Sequence, residues 1–168
     1  MEQLFNQLSG TLLNNLRIGE HLKVTIGGEN SQFVRFSQSK VRQSGLVDDA
    51  NLSIIFINDG RTCSGSFTLT GNITADEETA MEELNRLRDE VGTLPKDPFV
   101  VMPEDTGSSR EEYNGSLMNH ETAVSALSPA MQGVDLAGIW ASGRIFTGNA
   151  NSAGQKHWFA TDTFSLDY

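Results

Sequence analysis

The chain has 168 residues, 38% of them hydrophobic and 20% charged, and a formal net charge of −10 from 22 acidic and 12 basic residues. This length fits one domain with its own core, and the acidic balance argues against direct nucleic-acid binding, which needs clustered Lys and Arg. No apolar run approaches the roughly 20 residues that span a bilayer, so no membrane association is expected. The amino-terminal sequence also lacks the basic and apolar regions of a signal peptide, which favours a cytoplasmic location.

The first 70 residues predict one helix followed by a series of strands. Apolar residues at spacings of one, three and four predict a helix over about 2–16, and alternating apolar residues then predict strands with one buried face. The predicted strands are 22–26, 33–36, 41–46, 52–57 and 61–69. The predicted turns or breaks are Gly27–Asn30, Ser37–Lys40, Asp48–Asp49 and Asn58–Gly60, the last an Asp-Gly hairpin signal. Within the last strand, Gly65 predicts a bulge or a close approach to backbone.

The rest of the chain predicts a second helix and then more strands. Thr74 and Glu77 have the spacing of a capping box, which begins a helix over 75–91. A polar surface loop is predicted at 104–116 and a short helix at 121–127. From about residue 134 the pattern is again that of strands, with turns at Ser142-Gly143 and Asn151–Gly154.

Together these elements predict the α+β class. The expected architecture is an antiparallel β-meander sheet covered by two main helices, about 2–16 and 75–91, with a further β-rich segment from about 134. We expect one domain over 1–168, with sub-lobes 1–95 and 96–168 as an alternative division. The strand pattern is still running at Tyr168, which is the expectation for a fragment of a longer chain.

No complete catalytic site is visible in the sequence. Cys63 is the only cysteine, and the three histidines have no metal-ligand spacing. The serines next to turns lack the G-x-S-x-G context of a nucleophile. The remaining possibility is an open sheet edge that holds an extended peptide by backbone pairing. The candidates for holding a carboxylate or an interface acid are the polar side chains of Arg35, Arg42, Arg61, Arg144 and Asn151, with solvent-exposed or turn roles as the alternative.

Three segments carry a family resemblance: FVRFSQSKVRQSG, DGRTCSGSFTL, and DLAGIWASG followed by NANSAGQKHW and FSLDY. In this order they resemble the amino-terminal part of the TldD/PmbA family, a bacterial family described as modulators of DNA gyrase, zinc metallopeptidases and peptide-maturation proteins. The resemblance runs from about Phe33 to Tyr168. It implies an α+β domain of a longer cytoplasmic protein that forms homo- or heterodimers and holds an unfolded or extended peptide.

The resemblance assigns no catalytic or metal residue to this chain. Active members are similar in carrying an H-E-x-x-x-H zinc motif further along, and this sequence lacks it, so zinc is implied only for a full-length protein. The expected function is therefore an amino-terminal domain that supports peptide binding and dimer assembly in proteolysis or peptide maturation, without catalysis of its own. The alternative is a non-catalytic TldE/PmbA-like pairing subunit or a regulatory interaction module.

Overall fold

The computed structural model describes residues 1–168, except for the side chains of His120 and Glu121. It contains three α-helices and six strands, which confirms the α+β class. In chain order these are α1 (Glu2–Asn14), β1 (Glu20–Ser37), β2 (Lys40–Asn58), β3 (Arg61–Thr68), α2 (Ile73–Val91), β4 (Ser108–Tyr113), α3 (His120–Leu127), a 3-10 turn (Ser128–Met131), β5 (Gly138–Asn151) and β6 (Lys156–Asp167).

The six strands form one mixed, open sheet in the order β3-β2-β1-β5-β6-β4. β4 is the strand that makes the sheet mixed rather than wholly antiparallel. Ser108 Oγ accepts from Lys156 N at 3.2 Å and Ser109 Oγ lies 2.8 Å from His157 Nδ1, so contacts advance in the same direction along β4 and β6. The predicted loop over 104–116 is wrong at this point. Its exposed polar residues form an edge strand, because β6 supplies the backbone partner that local composition does not reveal.

Three predicted turns lie inside strands. Residues 27–30 belong to β1, 48–49 to β2 and 142–143 to β5, so each pair of predicted short strands is one long strand. Gly and Asp disfavour strands only modestly, and flanking strands override that preference. Asp48 and Asp49 point to solvent, and a Cβ added at Gly27 would meet no atom within 4 Å. The hairpin predicted at Asn58–Gly60 is confirmed, with φ of 49° at Asp59 and 70° at Gly60.

The chain divides into two compact units that interleave along the sequence. Unit 1 comprises Met1–Gly27, Ala50–Glu111 and Thr147–Phe159, and unit 2 comprises Gly28–Asp49, Glu112–Phe146 and Ala160–Tyr168. The division into sub-lobes 1–95 and 96–168 stays a prediction.

In unit 1, α1 and α2 pack together and form a core with alternate residues of the strands. The fully buried residues include Phe5, Leu8, Leu12, Leu22, Val24, Ile26, Leu52, Ile54, Phe56, Leu84 and Leu87. In unit 2, a smaller core joins α3 to strand residues. It consists of Val34, Phe36, Ala123, Met131 and Trp140. No helix in the described part of the chain combines the length and the apolar character needed to cross a bilayer.

The amino-terminal cap of α2 is Asn72, two residues before the predicted Thr74. Asn72 Oδ1 accepts from Thr74 N at 3.1 Å and from Ala75 N at 3.3 Å, so it pairs two backbone donors of the first turn. Both Asn and Thr are common caps, and the sequence pattern favoured Thr74 only because Glu77 stands three residues later. In the structure, Glu77 instead accepts from Thr11 on α1 at 2.8 Å.

This assignment is testable by two alanine substitutions. Asn72→Ala should lower the free energy of unfolding by about 1 kcal/mol, because it leaves the first-turn donors unpaired. Thr74→Ala, the matched control inside the helix, should change stability much less, as measured by urea unfolding. A larger loss for Thr74→Ala than for Asn72→Ala would restore Thr74 as the cap.

Candidate functional site

β3 is one of the two end strands of the sheet and lies wholly in unit 1. Its register with β2 is regular from Asn51 opposite Thr68 to Asn58 opposite Arg61. The bulge predicted at Gly65 is therefore absent from this ladder. The two-residue turn that closes the hairpin makes Asn58 and Arg61 a hydrogen-bonded pair, and such pairs recur at every second residue.

This alternation fixes which backbone groups of β3 point away from β2. Arg61, Cys63, Gly65 and Phe67 direct their N–H and C=O groups toward β2, and the bond from Leu69 N to Ala50 O at 2.8 Å continues the same parity. The outward-facing residues are Thr62, Ser64, Ser66 and Thr68. Their backbone groups form an edge for a further strand, which we call the β3 edge.

Helix α2 packs over the β3 edge on the core side of the sheet. An added Cβ at Gly65 would collide with the carboxylate of Glu83 and would lie 2.7 Å from Arg86 Nη2, so the close neighbours at this glycine are side chains of α2, and the predicted close approach to backbone is wrong. Arg86 Nη2 also lies 3.5 Å from Ser64 O, the one contact seen to an outward-facing group among the described residues. A side chain at this position would require the ends of Glu83 and Arg86 to move, and both are flexible side chains.

The β3 edge lacks three of the usual features that prevent strand addition, and α2 lies over it on the core side. Natural edge strands carry Lys, Pro or a bulge, whereas β3 has the sequence RTCSGSFT and a regular ladder. Its four outward residues carry small hydroxyl side chains, and Ser64, Ser66 and Thr68 are exposed. The geometry therefore suits a backbone partner that adds to the sheet in an extended conformation.

Of the predicted site residues, Arg61 alone lies on β3. Arg61 Nε donates to Leu94 O at 2.9 Å, and Nη1 pairs with an Asp59 carboxylate oxygen at 2.5 Å, so its guanidinium holds the hairpin turn. Lys96 Nζ lies 2.7 Å from the other oxygen of the same carboxylate. Hydrogen bonds from Lys96 and then Arg61 keep the pKa of Asp59 below its ordinary value.

The predicted arginines of unit 2 do not converge on one site. Arg42 closes the β1–β2 turn through bonds to Ser37 O at 3.2 Å and Gln38 Oε1 at 2.6 Å. Arg35 is exposed on β1 and makes no hydrogen bond or ion pair with a described residue, so it remains the one candidate with an uncommitted guanidinium.

Arg144 is already occupied by protein groups. Its guanidinium contacts a carboxylate oxygen of Glu112, the Asp162 carboxylate at 3.1 Å and Asn114 Oδ1 at 3.0 Å. With two carboxylates already bound, it has little capacity to hold a third. Its position explains how the end of β4 is held beside β5 and β6 within unit 2.

Asn151 organises the turn between β5 and β6 in unit 1. It is 7% exposed, its Nδ2 donates to Glu104 O and to Gln155 Oε1 at 2.9 Å each, and its Oδ1 accepts from Ala153 N at 2.9 Å. It also lines an open cavity of about 350 Å³. A ligand of this amide would have to displace bonds that hold the turn.

The same network indicates which ring nitrogen of His157 donates and which accepts. Gln155 Oε1 accepts from Asn151, so the amide nitrogen of Gln155 points the other way. This Gln155 Nε2 lies 2.6 Å from Thr106 Oγ1 and 2.8 Å from His157 Nε2. His157 Nε2 must then accept, which leaves the proton on Nδ1 to donate to Ser109 Oγ at 2.8 Å. A general base would have to accept from the serine, so this pair does not activate Ser109.

No group of three His, Cys, Asp or Glu among the described side chains has a metal-binding arrangement. The described side chains therefore do not fit a zinc ion. The side chains of His120 and Glu121 lie outside the described part of the structure.

No protein-family model and no curated protein sequence matches the chain. Its fold is similar to that of three solved structures. A TldE from Thermococcus kodakarensis matches with a TM-score of 0.67 at 13% identity over 99% of this chain. A "putative modulator of a DNA gyrase" from Thermotoga maritima matches with a TM-score of 0.60 at 14% identity over 98%. A "putative modulator of DNA gyrase" from Bacteroides thetaiotaomicron matches with a TM-score of 0.58 at 16% identity over 98%.

These matches confirm, at the level of the fold, the resemblance to the TldD/PmbA family stated from sequence. The chain covers only 38%, 38% and 39% of the lengths of the Thermococcus, Thermotoga and Bacteroides proteins. It therefore corresponds to a part of each.

Proposed function

We propose that this chain is a non-catalytic domain of a longer TldD/PmbA-type protein and that it holds an extended peptide at the β3 edge. The observation that carries the proposal is the run of four outward-facing residues, Thr62 to Thr68, on an end strand with no bulge, Pro or Lys. These four residues present eight outward-facing backbone groups at a spacing that an added strand matches, and one of the eight, Ser64 O, lies 3.5 Å from Arg86 Nη2.

In this proposal, any reaction on the bound peptide is carried out by another part of the longer protein. Zinc and the residues that bind it are assigned outside this chain, and the domain contributes binding and dimer assembly in proteolysis or peptide maturation. The similarity in fold to gyrase modulators does not make DNA a partner here, because the net charge of −10 opposes phosphate binding.

The second candidate is a TldE-like pairing subunit that assembles with a family member and performs no chemistry. The fold match to the Thermococcus TldE favours it. The two candidates differ in what occupies the β3 edge: a substrate peptide in the first and a strand of the partner protein in the second.

Peptide pairing is tested by fluorescence anisotropy with a labelled, acetylated Thr-Val-Thr-Val-Thr-Val amide. Ser66→Pro removes an outward-facing N–H while leaving the ladder to β2 intact, since edge positions tolerate Pro where the N–H faces solvent. It should weaken binding about tenfold, through one lost hydrogen bond and the steric effect of the ring.

Ser66→Ala is the matched control, because it removes the hydroxyl and retains the N–H. It should bind like the wild-type chain, and a peptide N-methylated at alternate residues should not bind. Equal affinity of Ser66→Pro and Ser66→Ala, with circular dichroism confirming that both fold, would refute pairing at the β3 edge.

A further inference from the structure

The open cavity beside Asn151 lies wholly within unit 1 and has a volume of about 350 Å³. Its floor is formed by β1 and β5, in which buried residues alternate with residues that point away from the core. Its wall is the segment 101–104, which has no regular secondary structure. Ligand sites for small molecules begin at about this size, roughly 300 Å³.

The register of β1 and β5 brings polar side chains together on the floor. Ser152 N, just after β5, donates to Leu22 O near the start of β1 at 3.0 Å, so the strands run antiparallel with these residues opposite each other. Three residues further along each strand, Thr25 is opposite Asn149, and such pairs have Cβ atoms about 5 Å apart. Lys23 is on the same face as Thr25, two residues away on β1, and it also lines the cavity.

These three floor side chains are available to a ligand. The side chains of Lys23, Thr25 and Asn149 make no hydrogen bond or ion pair with any described residue. Asn151 and Gln155, which also line the cavity, are bound to each other and to the turn between β5 and β6. An ammonium, a hydroxyl and an amide are all donors, and together they suit a carboxylate, which only accepts.

The wall of the cavity supplies a carboxylate and apolar surface. Glu104 O accepts from Asn151 Nδ2 at 2.9 Å, which fastens the wall to the turn between β5 and β6. The carboxylate of Glu104 has no partner among the described residues, and no ion pair joins it to Lys23. Val101 and Met102 also line the cavity and are 69% and 41% exposed. The cavity therefore has a positive charge on its floor, a negative charge on its wall and apolar side chains at its opening.

This combination favours a zwitterion over a simple anion. A phosphate beside Lys23 would be repelled by the carboxylate of Glu104, because like charges brought together at a binding site are unfavourable. An α-amino acid carries a carboxylate, an ammonium and a side chain on one carbon atom. Each of these groups has a matching surface in the cavity.

We infer that this cavity binds a free α-amino acid with an apolar side chain. The carboxylate accepts from Lys23, Thr25 and Asn149. The ammonium donates to Glu104, and the apolar side chain packs on Met102. The inference does not depend on the proposed function, because β2 separates this floor from the β3 edge.

The test is a ¹H–¹⁵N NMR titration of the 168-residue chain with L-leucine and three analogues. L-leucine should shift the amide signals around residues 23–25, 101–104 and 149 in a saturable manner. N-acetyl-L-leucine lacks the ammonium, L-leucinamide lacks the carboxylate and glycine lacks the side chain. Each analogue should bind about tenfold more weakly, because each loses one set of contacts.

Two substitutions assign the charged contacts. Lys23→Met should weaken L-leucine about tenfold and leave L-leucinamide unchanged, since the amide has no carboxylate to lose its partner. Glu104→Gln should weaken L-leucine and leave N-acetyl-L-leucine unchanged for the corresponding reason. Lys40→Met and Glu78→Gln are matched controls at exposed positions that do not line the cavity, and both should bind L-leucine like the wild-type chain.

Two outcomes would overturn the inference. One is the absence of a saturable shift at the cavity residues with L-leucine. The other is equal affinity for L-leucine and N-acetyl-L-leucine, which would make this a site for carboxylates and not for amino acids. Ser66→Pro, the variant that tests the β3 edge, should leave L-leucine binding unchanged, so the inference and the proposed function can fail separately.

Discussion

Replacing Glu20 with Gln is expected to lower the free energy of unfolding by about 3 kcal/mol, because it leaves the guanidinium of Arg88 buried without a counter-charge. The side chains of Glu20 and Arg88 are 5% and 9% exposed. Arg88 Nε and Nη2 donate to the two carboxylate oxygens at 2.9 and 2.8 Å, and Nη2 also donates to Asn15 O at the end of α1. The pair therefore links α1, α2 and the start of β1, and urea unfolding should show its loss as a lower midpoint.

The same substitution should change how stability depends on pH. Burial raises the pKa of Glu20, but the hydrogen bonds from Arg88 and from Arg17 N, together with the charge of Arg88, outweigh it and hold the pKa below its ordinary value. A carboxyl whose pKa is lower in the folded state adds stability that is present above its unfolded pKa and is lost as the pH falls through its folded pKa. Below about pH 4.5, the wild-type chain should lose stability more steeply than Glu20→Gln, and the two curves should converge.

Two controls distinguish a buried ion pair from a surface one. Glu20→Met/Arg88→Met removes both charges together and should be closer to wild type than either single substitution, because no unpaired charge remains buried. Lys96→Gln removes the exposed pair with Asp59 and should hardly change the midpoint. If Glu20→Gln shifts the midpoint no more than Lys96→Gln does, the buried pair contributes no special stability.

Local patterns predicted the elements of the fold but not their tertiary partners. The helical spacing of α1 and the Asp59-Gly60 turn are properties of neighbouring residues, and both were predicted correctly. Glu20 and Arg88 are 68 residues apart, and the local sequence around each gives no indication of their pairing. The turns predicted inside β1, β2 and β5 were wrong for the same reason, since long strands are held by neighbours that are distant in sequence.

The sequence predicted that a sheet edge could bind a peptide, but it did not predict which strand forms that edge. The sequence indicated that residues 61–69 form a strand and that an open edge could pair with a peptide. That β3 is an end strand follows only from the sheet order. The arginine hypothesis depended on which acids lie nearby, and the structure places Glu112 and Asp162 on Arg144 and Asp59 on Arg61. Composition alone contains no information on these pairings.

Gly143→Ala is the second substitution with a large expected effect, a loss of about 3 kcal/mol from overpacking. Gly143 lies on β5 next to β1, and an added Cβ would collide with Asn30 O and Ser31 Cα and would lie 2.6 Å from Ser31 Cβ. Two of these three atoms belong to backbone, so no rotamer change relieves the contact. The strands would have to separate, and the ladder between them would weaken.

Gly10→Ala is the matched control, because it adds the same methyl group where space is available. Gly10 lies within α1, and a Cβ there would meet no atom within 4 Å. Ala is the better helix former, so this substitution should raise stability by up to about 1 kcal/mol. Urea midpoints should therefore move in opposite directions for the two variants, and hydrogen exchange should be accelerated near residue 143 in the first only. If Gly143→Ala is as stable as the wild-type chain, β1 and β5 are not in close contact at this glycine. Packing would then not require a glycine at position 143.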